Sequence, residues 1–497
     1  MTSELVELEA VAKGPRTEAE NHAARGAKLG LGALGIYGTG ALVENFTTFA
    51  IGGLLFFYLN EVCGLAGGLA GTAIGLTLIV DAFVDPLVGS ISDNSHSPRG
   101  RRHPFMIASI LPLVILFGML FSMPHGLKGW PLFWYALAIL FSLRVALSFF
   151  TVPYMALGAE LTDDYAERSN VVAGRVFLTV IGGLVAAYLA WGVFFKGAGR
   201  FNAAAYPPLA WTFAALVALT GLVSALGTLR ARSRLHSALA DAKFGFDQFI
   251  GELVQVLRNR SFISLFMPCL ILFTALGVAA TLTVHANTFF WKLSSNQILL
   301  LSFLTPLGLL GGIFGAGALA RKMEKRNAAV IGLAMIGVAQ VTPVMLRIFG
   351  LIPLSAAVPT LAVAVILGGL GGAIATIAFQ SMMADAADEH EYLYGARREG
   401  LYFAGVTFSA KASSGLGAAI GGIATQVIGF PAGITDPALI AKIPADTIRN
   451  LGIAYGPAAS IFTVVSLMVL LTYKLSKADH ARIQDELRGR RAAKAAG

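Results

Sequence analysis

Two aspartates four residues apart, Asp81 and Asp85, stand inside the apolar run Leu78-Ile-Val-Asp-Ala-Phe-Val-Asp-Pro-Leu-Val-Gly89. Spacing of four puts both carboxylates on one face of a helix. A charged residue at the centre of a bilayer costs about 2.5 to 3.5 kcal/mol on insertion scales, so the two together demand compensation. Such a pair can share a small cation whose shell is completed by hydroxyl and carbonyl oxygens. It can also share a proton, because two adjacent like charges resist ionising together. The purely structural alternative is that Asp85 closes the segment beside Pro86 while Asp81 satisfies a neighbouring helix.

Lys411, in Val406-Thr-Phe-Ser-Ala-Lys-Ala-Ser-Ser-Gly415, is the one lysine placed well inside an apolar stretch, and its ammonium needs a partner. Asp81 and Asp85 are the natural candidates. The three together carry a net charge of minus one, which a bound monovalent cation brings to zero. Snorkelling of Lys411 to the inner surface is the competing reading. Arg144 and Glu44 are further intramembrane charges, read either as groups with separate roles at the span ends or as a substrate-facing pair across the N-terminal half. Asp93 with Arg101 and Arg102 reads as a cytoplasmic gating and packing cluster. His285 and Asn287 either line a cavity or serve as packed hydrogen-bonding residues.

The elements that position these residues follow from composition. The chain has 497 residues, 56% of them apolar and 13% charged. Soluble domains carry about a quarter charged residues, so water is not its main solvent. A bilayer core about 30 Å thick needs roughly 20 apolar residues per helix. Runs of that kind recur near 30–59, 66–92, 104–123, 131–157, 171–195 and 207–229, then near 263–290, 297–320, 327–349, 354–383, 400–430 and 451–475. This predicts an all-α membrane protein of twelve transmembrane helices in two six-helix halves, 29–229 and 263–475. A polar linker (230–262) with an amphipathic portion joins them, and tails at 1–28 and 476–497 flank them. The N-terminal tail lacks the apolar core and cleavage site of a signal peptide.

The net charge of +9 raises the question of nucleic acid, and its placement answers it. Lys128, Lys196, Arg200, Lys292, Arg347, Lys442 and Arg449 fall in loops on one side, and Arg144, Arg175 and Lys411 fall within spans. The remaining Lys and Arg of the total of 37 fall on the other side and in the tails. The positive-inside bias therefore puts both termini in the cytoplasm and makes anionic lipid headgroups, not nucleic acid, the partner of the basic loops. Cys63 and Cys269 have neither CxxC spacing nor His neighbours, so no disulfide framework or metal centre is expected from them. The sequence shows no His-rich cluster, nucleophile elbow or phosphate-binding loop, which argues against an enzyme.

The halves echo each other. Gly89-Ser-Ile-Ser-Asp93 with Gly100-Arg-Arg102 sits between spans 2 and 3, and Gly315-Ala-Gly317 with Ala320-Arg-Lys322 and Lys325-Arg326 sits between spans 8 and 9. Glu160, Asp163 and Asp164 after span 4 are matched by Asp385, Asp388 and Glu389 after span 10. Two like halves around a central cavity are the architecture of transporters that alternate access by rocking.

Four motifs together resemble the glycoside-pentoside-hexuronide:cation symporter family, a branch of the major facilitator superfamily. They are Tyr37-Gly-Thr-Gly40, Asp81-Ala-Phe-Val-Asp85-Pro86, the run from Val152 through Glu160 to Arg168, and Thr407 with Lys411. The resemblance spans about Lys28 to Tyr473 and implies a major facilitator fold. Position by position, it implies a cation site at Asp81, Asp85, Ser148, Thr407 and Lys411, and a substrate-side arginine at Arg175. At the family's sugar-gripping positions this chain has Asn45, beside Glu44, on span 1, and Thr151 and Met155 on span 4. Carboxylates and an aromatic ring that hold a galactoside are thereby missing.

The expected function is a sodium- or proton-coupled symporter that imports a small solute, a glycoside or sugar, by alternating access. The rival is the same fold carrying an amphipathic lipid-like solute such as a lysolipid. No cofactor is expected beyond the co-transported sodium or proton, with Asp81 and Asp85 as ligands if the ion is sodium. The expected setting is a monomer in a bacterial inner membrane.

Overall fold

Within a lipid phase, backbone N–H and C=O groups find no water, so long apolar runs must close their hydrogen bonds internally as helices. The computed structural model follows this: every element among the described residues is helical. It describes residues 30–229 and 256–496, apart from residues 96, 98, 99, 125, 163, 198 and 396–398. The expected tail 1–28, most of the linker at 230–262 and Asp163 of the acidic echo lie outside the described residues.

In chain order, α1 (Leu31–Gly38) and α2 (Gly40–Phe49) run on through π-helical turns at Ala50–Leu55 and Tyr58–Val62 as a first pass. There follow α3 (Gly67–Asp93), α4 (His103–Leu120), α5 (Gly129–Glu160), α6 (Tyr165–Ala187) and α7 (Tyr206–Leu229). The second set is α8 (Arg260–His285), α9 (Ser295–Lys322), α10 (Lys325–Ile348), α11 (Ala357–Tyr394) and α12 (Glu399–Val427). The last pass is α13 (Ala445–Ile453) and α14 (Ala459–Leu470), and α15 (Lys477–Ala496) follows it as a polar helix.

Ten helices among the described residues are long and apolar enough to cross a membrane, against the twelve expected. The other two expected spans, near 30–59 and 400–430, are helical but are not among these ten. The first is interrupted at Thr39 and rewound into π turns, and α12 is diluted by Gly, Ser, Thr and Lys411. Both border the site described below.

Packing sorts the helices into two bundles. In one, α1 and α2 lie against α6 and α7, α4 against α5 and α7, and α3 against α5. In the other, α8 lies against α12 and α14, α10 against α11 and α14, and α9 against α11. Across the divide, α3 on α12 is the most extensively packed helix pair in the molecule. Hydrophobicity cannot drive this association in lipid, so close backbone approach must. A Cβ on Gly71 would lie 2.5 Å from the Ala418 carbonyl oxygen and 2.8 Å from the Gly422 Cα. One on Gly415 would lie 2.5 Å from the Gly75 carbonyl oxygen. This seam brings Asp81 of one bundle to Lys411 of the other.

Candidate cation and solute site

The α3 face that carries Asp81 and Asp85 meets Ser148 of α5 and Lys411 of α12. Ser148 Oγ lies 3.0 Å from Asp81 Oδ1 and 2.7 Å from Asp85 Oδ1. A hydroxyl has one hydrogen and donates to one of them at a time. Lys411 Nζ lies 3.0 Å from Asp81 Oδ2 and also donates to Asp85 Oδ2. The lysine thus joins both carboxylates across the bundle interface and does not snorkel away.

Arg144 lies on the aspartate side of the site. Its guanidinium Nη1 is 3.6 Å from Asp81 Oδ2, while no ion pair with Glu44 occurs among the described residues. The reason is helical phase. Arg144 precedes Ser148 by four residues and so shares its face, which α5 turns toward α3. Asp81, with only 4% of its side chain exposed, therefore touches Lys411, Ser148 and Arg144, whereas Asp85 is 22% exposed. Thr407 stands apart, its hydroxyl donating to the Phe403 carbonyl one turn back on its own helix at 3.3 Å.

The positions implied for substrate are less gathered. Arg175 Nη1 lies against the Met155 sulfur. Thr151 is half-buried, and its hydroxyl donates to the Leu147 carbonyl at 3.0 Å. Asn45 turns toward α6, where a Cβ on Gly182 would lie 3.1 Å from its Oδ1. Glu44 is exposed and within electrostatic reach of Lys411, Arg175, Asp85 and Arg144. The Tyr37-Gly-Thr-Gly40 motif is a packing device: Tyr37 stacks on Tyr154 with ring centroids 4.7 Å apart. A Cβ on Gly40 would fall 2.6 Å from Tyr154 Cδ2 and closer still to its Cε2.

At the ends of α3, α4 and α5, Arg101 and Arg102 meet at Glu160, and Asp93 joins them through Arg102. Arg101 Nη2 is 2.6 Å and Arg102 Nη2 3.0 Å from Glu160 Oε1. Arg102 also pairs with Asp93 and donates to Ser92 Oγ at 2.6 Å. The other bundle repeats the motif, with Lys325 Nζ 2.7 Å from Asp385 Oδ2 and His480 Nε2 3.0 Å from Asp388 Oδ2. The loop echo in the sequence thus becomes two matched charge clusters, each tying helices of one bundle together.

On the opposite face, a contact that sequence reasoning misses joins the bundles. His285 Nε2 lies 3.0 Å from Asn60 Oδ1 and 3.1 Å from Glu61 Oε1, with the His and Glu side chains fully buried. Asn60 Nδ2 donates to the Leu65 carbonyl, which turns Oδ1 toward the imidazole Nε2. The rings of Phe56, Phe57 and Phe430 enclose the pair. Arg200 adds hydrogen bonds to Thr288 and to the Leu293 carbonyl at 3.2 and 2.6 Å, and the Gly433 amide donates to the Asn60 carbonyl at 2.9 Å. The only signal in the sequence is an Asn-Glu dipeptide at the end of an apolar run, with a histidine at the far end of another.

A buried hydrogen bond to a charged group contributes about 1.5 to 3 kcal/mol net, and 1.4 kcal/mol is tenfold in an equilibrium constant. His285→Ala should therefore loosen this face by roughly tenfold or more. Half-buried Cys63, next to the clasp, reports the change. Its alkylation by a membrane-impermeant maleimide, located by mass spectrometry, should accelerate in the variant. An unchanged rate would show that the contact does not hold the face closed.

Comparison with known proteins adds independent findings. Residues 29–477 match the MFS/sugar transport protein family. The chain is 26% identical to the glucuronide carrier protein homolog of Escherichia coli (strain K12), over 92% of this chain and 95% of that one. It is 23% identical to the isoprimeverose transporter of Lactiplantibacillus pentosus, over 87% of this chain and 86% of that one. Among solved structures, the D-xylose-proton symporter superposes with a TM-score of 0.60 at 13% identity, covering 88% of this chain and 96% of the other. That likeness is one of fold.

Proposed function

We propose, from the premise that the chain belongs to the MFS/sugar transport protein family, that it is a cation-coupled symporter importing a small glycoside or sugar. The observation that carries this reading is Lys411 shared between Asp81 and Asp85 across the seam between the bundles. A cation drawn to the carboxylates competes with the ammonium that ties one bundle to the other, so ion occupancy and relative bundle position become linked. Alternating access needs that linkage: an ion that bound both states equally would shift nothing. The linkage by itself sets no preference between sodium and a proton. The clasp at Glu61 and His285 would hold the outer face shut in this state, and the Glu160 and Asp385 clusters would keep each bundle rigid as it rocks.

For the solute, the supporting features are the relatives that carry glucuronides and isoprimeverose by name and the retained Arg175. Arg175 beside Met155 offers a guanidinium donor edge next to an apolar surface, which suits a glycoside with an apolar aglycone better than a galactoside gripped by carboxylates. The setting proposed is a bacterial inner membrane, both termini cytoplasmic, with the protein acting as a monomer.

The test is uptake into proteoliposomes offered labelled glycosides and labelled lysolipids under imposed sodium or proton gradients. Gradient-dependent uptake of a glycoside supports the proposal, and uptake of the lipid alone overturns it. Arg175→Ala should raise the apparent KM for the transported glycoside by about tenfold or more, since a hydrogen bond to a charged group contributes roughly 1.5 to 3 kcal/mol. An unaltered KM would remove Arg175 from the solute site.

A further inference from the structure

We propose that Arg144 is a resident cation of the Asp81–Asp85 site and that it makes the site indifferent to sodium. The inference rests on the cation-coupled reading for its setting and narrows which ion that reading admits.

Asp81, Asp85 and Lys411 alone leave one negative charge for an incoming ion to balance. Arg144 removes it. Its side chain is 10% exposed and its Nη1 lies 3.6 Å from Asp81 Oδ2, so two aspartates face two fixed cations and the cluster is neutral. The next charges outward, Glu44 and Arg175, have opposite signs and leave the balance unchanged.

The ligand shell is also taken. Both Oδ2 atoms accept from Lys411, both Oδ1 atoms lie within 3.0 Å of Ser148 Oγ, and Arg144 stands at the buried edge of Asp81. Thr407, the remaining hydroxyl expected in the shell, bonds its own helix. A dehydrated sodium ion would need several of these oxygens at once and would sit beside two cations that cannot both withdraw. Lys411 has a flexible stem and is 27% exposed. Arg144 is nearly sealed within the bundle, and a guanidinium gives up its proton far less readily than an ammonium. The residues present do not fit sodium, and the misfit traces to this one side chain.

The probe is sodium itself, without any solute. Purified protein is melted in sodium chloride and in choline chloride at equal ionic strength, and ²²Na⁺ binding is measured in parallel. The wild-type chain should show no sodium-specific rise in melting temperature and no saturable ²²Na⁺ binding. Arg144→Gly, or Arg144→Gln where the cavity left by glycine prevents folding, should gain both. For a site at a hundredfold over its Kd, the occupancy factor is about 100-fold. Saturable sodium binding by the wild type overturns the proposal, and so does failure of every folded neutral variant to gain it. Failure of the cation-coupled reading would look different: no accumulation by the wild type under any imposed ion gradient, whatever sodium binding shows.

Discussion

Asp81→Asn should abolish ion-driven accumulation and should also destabilise the protein more than Asp85→Asn does. Both aspartates touch Lys411 and Ser148, but Asp81 is nearly sealed and is also the carboxylate facing Arg144. Removing one partner of a buried ion pair leaves the other charge uncompensated, at a cost of about 3 to 5 kcal/mol. At Asp85 the side chain is 22% exposed, so water relieves part of the loss. Thermal unfolding in detergent and uptake in proteoliposomes separate the two effects: Asp85→Asn should insert and melt near wild type while losing driven uptake. Equal destabilisation by the two substitutions would mean that Arg144 does not depend on Asp81. Unchanged driven uptake in both would remove the pair from coupling.

Lys411→Ala should impair turnover severely, and combining it with Asp81→Asn should restore part of the loss. The single change leaves two carboxylates 3.0 and 2.7 Å from one hydroxyl with no ammonium between them. Neutralising Asp81 then removes the repulsion that the lysine had relieved. Residues in one charge network couple by about 0.5 to 3 kcal/mol, whereas independent sites add. Melting temperatures and initial uptake rates for the two single variants and the double variant give the coupling directly. Strict additivity would contradict the contact.

Much of this site is legible in the residues alone. The four-residue spacing of Asp81 and Asp85 fixes their shared face, and an ammonium in an apolar stretch must find a carboxylate, so Lys411 points to them across more than 300 residues of chain. What spacing cannot supply is the rotation of one helix against another. Intramembrane charge by itself leaves Arg144 either paired with Glu44 or acting apart from it, and the phase that α5 shares between Arg144 and Ser148 turns the guanidinium to Asp81. Thr407, a ligand only as the family resemblance implies, has its hydroxyl on the Phe403 carbonyl of its own helix.

The helix count shows a second limit. The runs read near 30–59 and 400–430 are helical, yet they carry glycine, hydroxyls and charge and are not among the ten helices long and apolar enough to cross a membrane by length and composition alone. Glu61 escapes notice because an acid near the end of a span resembles a loop residue until His285 is seen against it.

The central claim is that Asp85, with Asp81 and Lys411, transmits ion binding to solute movement. It is tested most directly by measuring two processes in the same Asp85→Asn proteoliposomes: accumulation of labelled glycoside driven by an ion gradient, and exchange of labelled for unlabelled glycoside with no gradient. Loss of accumulation with exchange retained is the predicted result, since the bundles still rock but no longer answer to the ion. Accumulation equal to wild type would contradict it.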